Sequence, residues 1–208
     1  QYQEQELIVF DLGAGAGAIQ WGLGLIYAGL KRLGKPTPKI TIVNIDTSPF
    51  MLQYNRDYLW IEFLKNYPEI DRDFRIEYEV NSWNNSRNIS TANTILSASY
   101  LFDDSDNQEE IGRDFLKLIN LYKPSSVLIL TSEKKAIKYF PTLKEEFLKL
   151  KYSSQIIQST QLLFHKPLTK INNIRTQIGK ILNINELNRN ASWQDYSNSA
   201  IIFERPQL

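Results

Sequence analysis

The stretch Asp11-Leu12-Gly13-Ala14-Gly15-Ala16-Gly17-Ala18 holds the clearest chemical signal in the chain. Glycines at alternate positions let a backbone approach a ligand closely, and a helix starting there presents partly positive N–H groups to it. Asp46 stands 29 residues beyond Gly17, at the end of a β-branched run, where a carboxylate can accept both hydroxyls of a ribose. Asp103 and Asp104, three and four residues past Tyr100, follow another apolar run and fall at the strand end where ligands bind in open α/β sheets; a solvated pair ahead of a helix at Asp106 accounts for them equally well. His165 is the only histidine. Its ordinary pKa near neutrality suits proton transfer, but its place after a late strand favours a surface or structural role.

The elements that must position these residues follow from periodicity. Leu7-Ile8-Val9-Phe10 is a continuous apolar run closed by Asp11-Leu12-Gly13, which predicts a buried parallel strand entering a glycine turn. A helix follows from Ala18 to about Leu33 and is ended by Gly34, Pro36 and Pro38. Ile40 to Ile45 predicts a second buried strand ending at Asp46; Ser48-Pro49 then caps and starts a helix running to about Asn66. Phe74 to Val80 alternates as a half-exposed strand, and Thr94 to Ser99 and Ser126 to Thr131 predict two more. Helices are expected from Asp106, with Glu109 completing a capping box, and from Lys134 to Leu150. Gln155–Phe164 and Ser199–Glu204 complete the set as two late strands at a sheet edge, with an insertion at 165–195 that contains a helix from Leu168 to Leu182. This order predicts a Rossmann-like α/β fold, a seven-stranded mostly parallel sheet with an antiparallel last strand and helices on both faces. Trp21, Trp60, Trp193, Tyr27, Tyr54 and Tyr58 are expected to pack in the core or between helix and sheet. Gly22, Gly24 and Gly29 predict close packing of the first helix on the sheet.

Gly13, Gly15 and Ala18 satisfy the dinucleotide pattern G-x-G-x-x-G/A, while Asp11 ahead of Gly-x-Gly-x-Gly resembles the first motif of class I S-adenosylmethionine-dependent methyltransferases. Asp46 fits both families, but its distance from Gly17 exceeds the ~20 residues usual in a dinucleotide fingerprint. Asn44-Ile45-Asp46-Thr47-Ser48-Pro49-Phe50-Met51-Leu52 resembles the methyltransferase second motif, and the late antiparallel strand agrees with that family from Leu7 to about Arg205. Within it, Ser97 to Asp104 resembles the Rsm22-like ribosome-associated branch, although the cysteines used by its metal-binding members are absent. The resemblance implies S-adenosylmethionine as cofactor. Its methionine portion would lie against Gly13, Ala14, Gly15 and Gly17, with Asp11 toward the ammonium and Asp46 at the ribose; Thr47 belongs to the same cofactor set. Asn81, Ser82 and Trp83 would take the adenine, in place of the Asp often found there, and Ser97 would complete the cofactor set. Asp103, Tyr100 and His165 are the candidates for a role at the acceptor; none is an obvious dedicated base.

Composition limits the alternatives. The 208 residues carry 24 Lys+Arg against 23 Asp+Glu, so a formal charge of +1 offers no global field for nucleic acid. The absence of cysteine removes disulfides, thiolate nucleophiles and Cys-ligated metals, and one histidine makes no zinc site; no metal is expected. Residues 165–190 contain Lys166, Lys170, Arg175, Lys180 and Arg189 against Glu186, which reads as a phosphate-contacting segment or, preferentially, a solvated face. A small-molecule or protein acceptor is therefore favoured over RNA. No run spans a bilayer and none resembles a signal peptide, so a soluble, cytoplasmic protein without membrane partners is expected. The opening Gln-Tyr-Gln, with a strand starting at Leu7, predicts a single domain excised from a longer chain whose other domains are possible partners. Two rivals stand beside methyl transfer: a catalytically silent methyltransferase-like scaffold and an NAD(P)-dependent oxidoreductase.

Overall fold

The computed structural model describes residues 6–85, 93–101, 108–158, 165–188 and 198–206. In chain order the elements are β1 (Leu7–Leu12), α1 (Ala18–Arg32), β2 (Ile40–Asp46), α2 (Pro49–Tyr54), a π-helical turn (Asn55–Trp60), α3 (Ile61–Asn66) and β3 (Phe74–Val80). Then come β4 (Thr94–Ser99), α4 (Gln108–Tyr122), β5 (Ser126–Ser132), α5 (Glu133–Lys149), β6 (Ser153–Gln158), α6 (His165–Leu182) and β7 (Asn198–Glu204). One seven-stranded sheet has the order β3-β2-β1-β4-β5-β7-β6. All neighbours pair in parallel except β7, which runs antiparallel to both β5 and β6. The chain order reverses between β1 and β4, and a crevice opens at the carboxyl ends of strands at such a switch point.

Alternation along the strands divides the core into two layers. Val9, Ile40 and Ile42 face Tyr27 and Ala28 of α1, Trp60 of the π turn, Phe63 of α3 and Leu182 of α6. Phe10, Leu12, Val43, Ile45, Leu96 and Ile129 face Phe115 and Ile119 of α4 and Phe140 and Phe147 of α5. Each such large apolar side chain contributes about 1.5–3 kcal/mol on burial, which is what fixes the helices to their faces.

Several expectations need correction. The helix after Ser48 is not uniformly α: its buried positions fall at Leu52, Asn55, Trp60 and Phe63, with a five-residue step across the π turn. That step leaves Tyr54 and Tyr58 outside, 51% and 66% exposed and paired ring to ring at 5.7 Å, while Tyr27 and Trp60 are buried as expected. Trp193 lies outside the described residues. Gly24 packs closely, but on a helix rather than the sheet: a Cβ there would stand 2.8 Å from Phe63 Cζ. Gly22 faces open space, and Gly29 faces Ile178 of α6. β6 begins at Ser153, two residues early; residues 159–164 of the expected strand lie outside the described residues. The two late strands lie at the sheet edge as expected, with β7 between β5 and β6. Asp106, and with it the expected capping box, lies outside the described residues.

Candidate cofactor cleft

β1 delivers its chain into a turn of three left-handed glycines, Gly13, Gly15 and Gly17, with φ of 69°, 53° and 81°. The turn is tied down by backbone. Gly13 and Ala14 donate to Ile45 O at 2.9 and 3.0 Å, and Gly17 donates to Ala14 O at 2.8 Å. At Gly15 a Cβ would meet nothing within 4 Å, so the turn leaves open space at its apex. Gly17 is also the N-cap of α1, whose first turn has no side-chain cap and no acidic residue. Its N–H groups therefore keep their partial positive charge available to a ligand.

Asp11 lies below this turn. Register places it between Asn44 of β2 and Ser97 of β4, and Asn44 in turn beside Tyr78 of β3, so Tyr78, Asn44, Asp11 and Ser97 form a polar row on the α1 face of the sheet. Asp11 is 1% exposed, and its Oδ1 accepts no hydrogen bond among the described residues. Burial pushes its carboxyl up to about 7; the neighbouring Ser97 hydroxyl opposes this in part, and the Asp46 charge adds to it. The Ser97 Oγ has no partner of good geometry among the described residues, so that opposition is weak. A buried carboxylate with an open oxygen, beneath free N–H groups, is built to receive a cation or a hydrogen-bond donor.

Asp46 occupies the opposite bank. Its Oδ2 accepts from Gly15 N and its Oδ1 from Ser48 N, both at 2.8 Å, so one carboxylate closes the glycine turn and starts the next helix. Each oxygen retains acceptor capacity for a further donor. A cleft of about 450 Å³ runs from here past Gly13, Thr47, Asn81, Ser82 and Trp83 to Tyr100, Leu101 and Ile111.

The structure thus brings Gly13, Asp46, Thr47, Ser82, Trp83 and Tyr100 to one cleft; Asp11, Ala14 and Ser97 are buried and do not line it. Gly15 and Gly17 belong to the turn and are not among the residues lining the cleft. Asn81 Oδ1 accepts from Ser82 N at 2.8 Å, and Ser82 Oγ is engaged with Asn84 Oδ1 at 2.6 Å, so these groups first organise their own loop. Trp83 is half-buried, tilted on Phe115 at a ring separation of 6.5 Å. Tyr100 is held left-handed at φ 59°, its N–H on Leu130 O at 2.7 Å and its side chain 47% exposed. A non-glycine residue kept in that region is strained, and such strain concentrates at functional sites. Asp103 and Asp104 lie outside the described residues, and of His165 only the backbone, as the first residue of α6, is described.

Sequence reasoning missed Leu101 and Ile111, which wall the cleft, and a buried polar group under the turn: Gln20, Asn44 and Asn55, each 0% exposed. A polar side chain inside an otherwise apolar strand, as Asn44 is, was the available signal. A larger groove of about 670 Å³ lies between α4 and α5, walled by Leu116, Leu143 and Leu150 and remote from the glycine turn. Among the described residues there is no cluster of three or more metal-ligating side chains and no helix long and apolar enough to cross a membrane.

No protein-family model matches the chain, and no curated protein matches it in sequence. Solved structures do match it in fold. The plantazolicin methyltransferase BpumL, in complex with a triazolic desmethylPZN analog and SAH, superposes with a TM-score of 0.56 at 12% identity, over 96% of this chain and 77% of that one. The CMeT domain of the citrinin polyketide synthase gives 0.50 at 15% identity, over 99% of this chain and 48% of that one. The YcgJ protein from Bacillus subtilis gives 0.50 at 12%, over 98% and 93%. The chain therefore shares the Rossmann-like fold of these structures.

Proposed function

We propose that the chain binds S-adenosylmethionine in this cleft and transfers its methyl group to an acceptor. The observation that carries the reading is the open Oδ1 of buried Asp11 beneath a glycine turn at an uncapped helix N-terminus. The BpumL structures that share the fold contain SAH, which supports the same reading. The residues fit: Asp11 offers an anionic acceptor for the ammonium, and the space at Gly15 admits a ligand against the backbone. Asp46 offers its remaining acceptor capacity to the ribose hydroxyls, and Thr47, Ser82 and Trp83 continue that wall toward the adenine. Ser97 stands beside Asp11 on the neighbouring strand. When bound, the cofactor supplies an electrophilic methyl group on a sulfonium.

The chain's own task is then placement, because in-line displacement needs the attacking atom about 3–3.5 Å from the methyl carbon. Tyr100, Leu101 and Ile111 give the cleft mouth an aromatic and aliphatic side, which supports an acceptor with apolar surface, a small molecule or protein rather than RNA. Tyr100 is the candidate that touches it.

Titration with S-adenosylhomocysteine, followed by melting temperature and calorimetry, tests the reading against NADH. Stabilisation by S-adenosylhomocysteine alone is the expected result. Stabilisation by NADH alone would replace it with the oxidoreductase, and none by either would leave a scaffold.

A further inference from the structure

Below the glycine turn, three fully buried amides meet. Gln20 Oε1, in the first turn of α1, accepts from Asn44 Nδ2 of β2 at 2.6 Å and from Asn55 Nδ2 at 3.0 Å; Gln20 Nε2 reaches Tyr78 OH at 3.4 Å. One side chain thus joins a helix start, a central strand and the π turn. The second contact is steric. A Cβ at Gly17 would stand 2.9 Å from Asn55 Cγ, so the Asn55 amide fills the space that Gly17 leaves. Third, Asn55 is the first residue of the π turn, and the five-residue step to Trp60 is what lets both side chains point inward. Such π turns are rare, occur mostly as single turns inside α-helices and are frequent at functional sites.

We propose that Gln20, Asn44 and Asn55 are positioning residues that hold the glycine turn in its ligand-receiving shape, with Asn55 acting on Gly17 directly and Gln20 joining it to β2. Polar groups at 0% exposure are costly, and Asn44 Oδ1 and Asn55 Oδ1 remain without partners among the described residues. An apolar trio would fill the same volume at lower cost, but it would not fix the direction from which Gly17 is approached. Hydrogen bonds give that direction.

The test has two arms, of which only the second rests on the methyl-donor reading. In ligand-free protein, Asn55→Leu is expected to speed amide exchange at Gly15 and Gly17 by about tenfold, the factor for one lost buried hydrogen bond. Gln20→Met, which removes the shared acceptor at similar volume, should do the same if the leucine variant fails to fold. Phe147→Leu, in the opposite core layer, serves as the control for general destabilisation and should leave exchange at both glycines at the parental rate. In the second arm, S-adenosylhomocysteine affinity should fall about tenfold in the Asn55 or Gln20 variant and hold in the Phe147 variant. Parental exchange at Gly15 and Gly17 in the amide variants, or equal acceleration in Phe147→Leu, overturns the proposal. A parent that binds no S-adenosylhomocysteine removes the methyl-donor reading instead, and the exchange arm alone then decides whether the amides hold the turn.

Discussion

Gly15 and Asp46, 31 residues apart, are joined by a 2.8 Å hydrogen bond from backbone N–H to carboxylate, so the residue proposed to hold the ribose also closes the turn proposed to hold the methionine portion. The two subsites are mechanically one. Asp46→Asn should keep one acceptor oxygen but lose the charge, weakening S-adenosylhomocysteine by about 1.5–3 kcal/mol, the worth of a charge-assisted hydrogen bond. Asp46→Ala should add a loss of stability, because Gly15 N and Ser48 N then lose their acceptor. Calorimetry and denaturant melts separate the two effects; equal affinity in parent and Asn variant would remove Asp46 from the site.

The glycines of the turn should fail in different ways. Gly15 has open space at its Cβ position but a φ of 53°, so Gly15→Val should fold with a strain cost of about 1–2 kcal/mol and lose stabilisation by S-adenosylhomocysteine altogether. Gly17→Ala combines a φ of 81° with collision against Asn55 and should destabilise the ligand-free protein by about 1–3 kcal/mol more than the strain alone. Thermal melts with and without ligand read both. A Gly15→Val protein that still gains stability from the ligand as the parent does would place the ligand elsewhere.

The glycine turn and Asp46 were legible in sequence because each sits where a continuous apolar run stops, and a buried strand announces its own end. The same contrast made Ile40–Asp46 readable to the residue, and strict alternation did so for Phe74–Val80. Tyr54 and Tyr58 were misplaced for a different reason. A 3.6-residue period carried from Leu52 has no room for a five-residue step, and the π turn depends on Asn55 finding Gln20 from another helix. Gln20 was hidden likewise: it looks like a fault in an apolar face until its partners Asn44 and Asn55 are known. Tyr100 carried no signal of its left-handed backbone, which follows from the N–H bond to Leu130 on β5.

The basic segment offers a test of acceptor class. α6 packs on α1 through Ile178 and Leu182, and Lys180 is exposed, as a solvated helix face requires. Arg189 and the side chains of Lys166 and Lys170 lie outside the described residues, and Arg175 is half-buried. With a net charge of +1, the chain should show no steep salt dependence toward single-stranded RNA in a filter-binding or anisotropy titration. If RNA does bind, replacing Lys166 and Lys170 with glutamine should flatten the log–log salt slope by about 1.4 units. Such a flattening would turn the acceptor reading toward RNA.

Asp11 should make the protein's stability fall as pH rises. Its carboxyl is carried by burial from 3.8 to about 7 in the folded chain. Between those values the folded state holds a proton that the unfolded state has released. The stabilising contribution is therefore fully present below 3.8 and is lost as pH rises through about 7, a swing of at most about 4 kcal/mol from the three-unit shift. Asp11→Asn keeps the shape and removes the titration, so its advantage in melting temperature over the parent should widen from pH 5 to pH 8, by about 2–4 °C for each kcal/mol. Ligand binding should run the other way. An ammonium placed at the open Oδ1 favours the ionised carboxylate, so S-adenosylhomocysteine should bind the parent more tightly as pH passes through about 7, and the Asn variant should lose both affinity and that rise. A variant that gains stability at pH 8 and still binds as the parent does would show Asp11 to be a buried acid with no part in holding the ligand. A variant with no gain would mean that the unliganded carboxylate already has a partner.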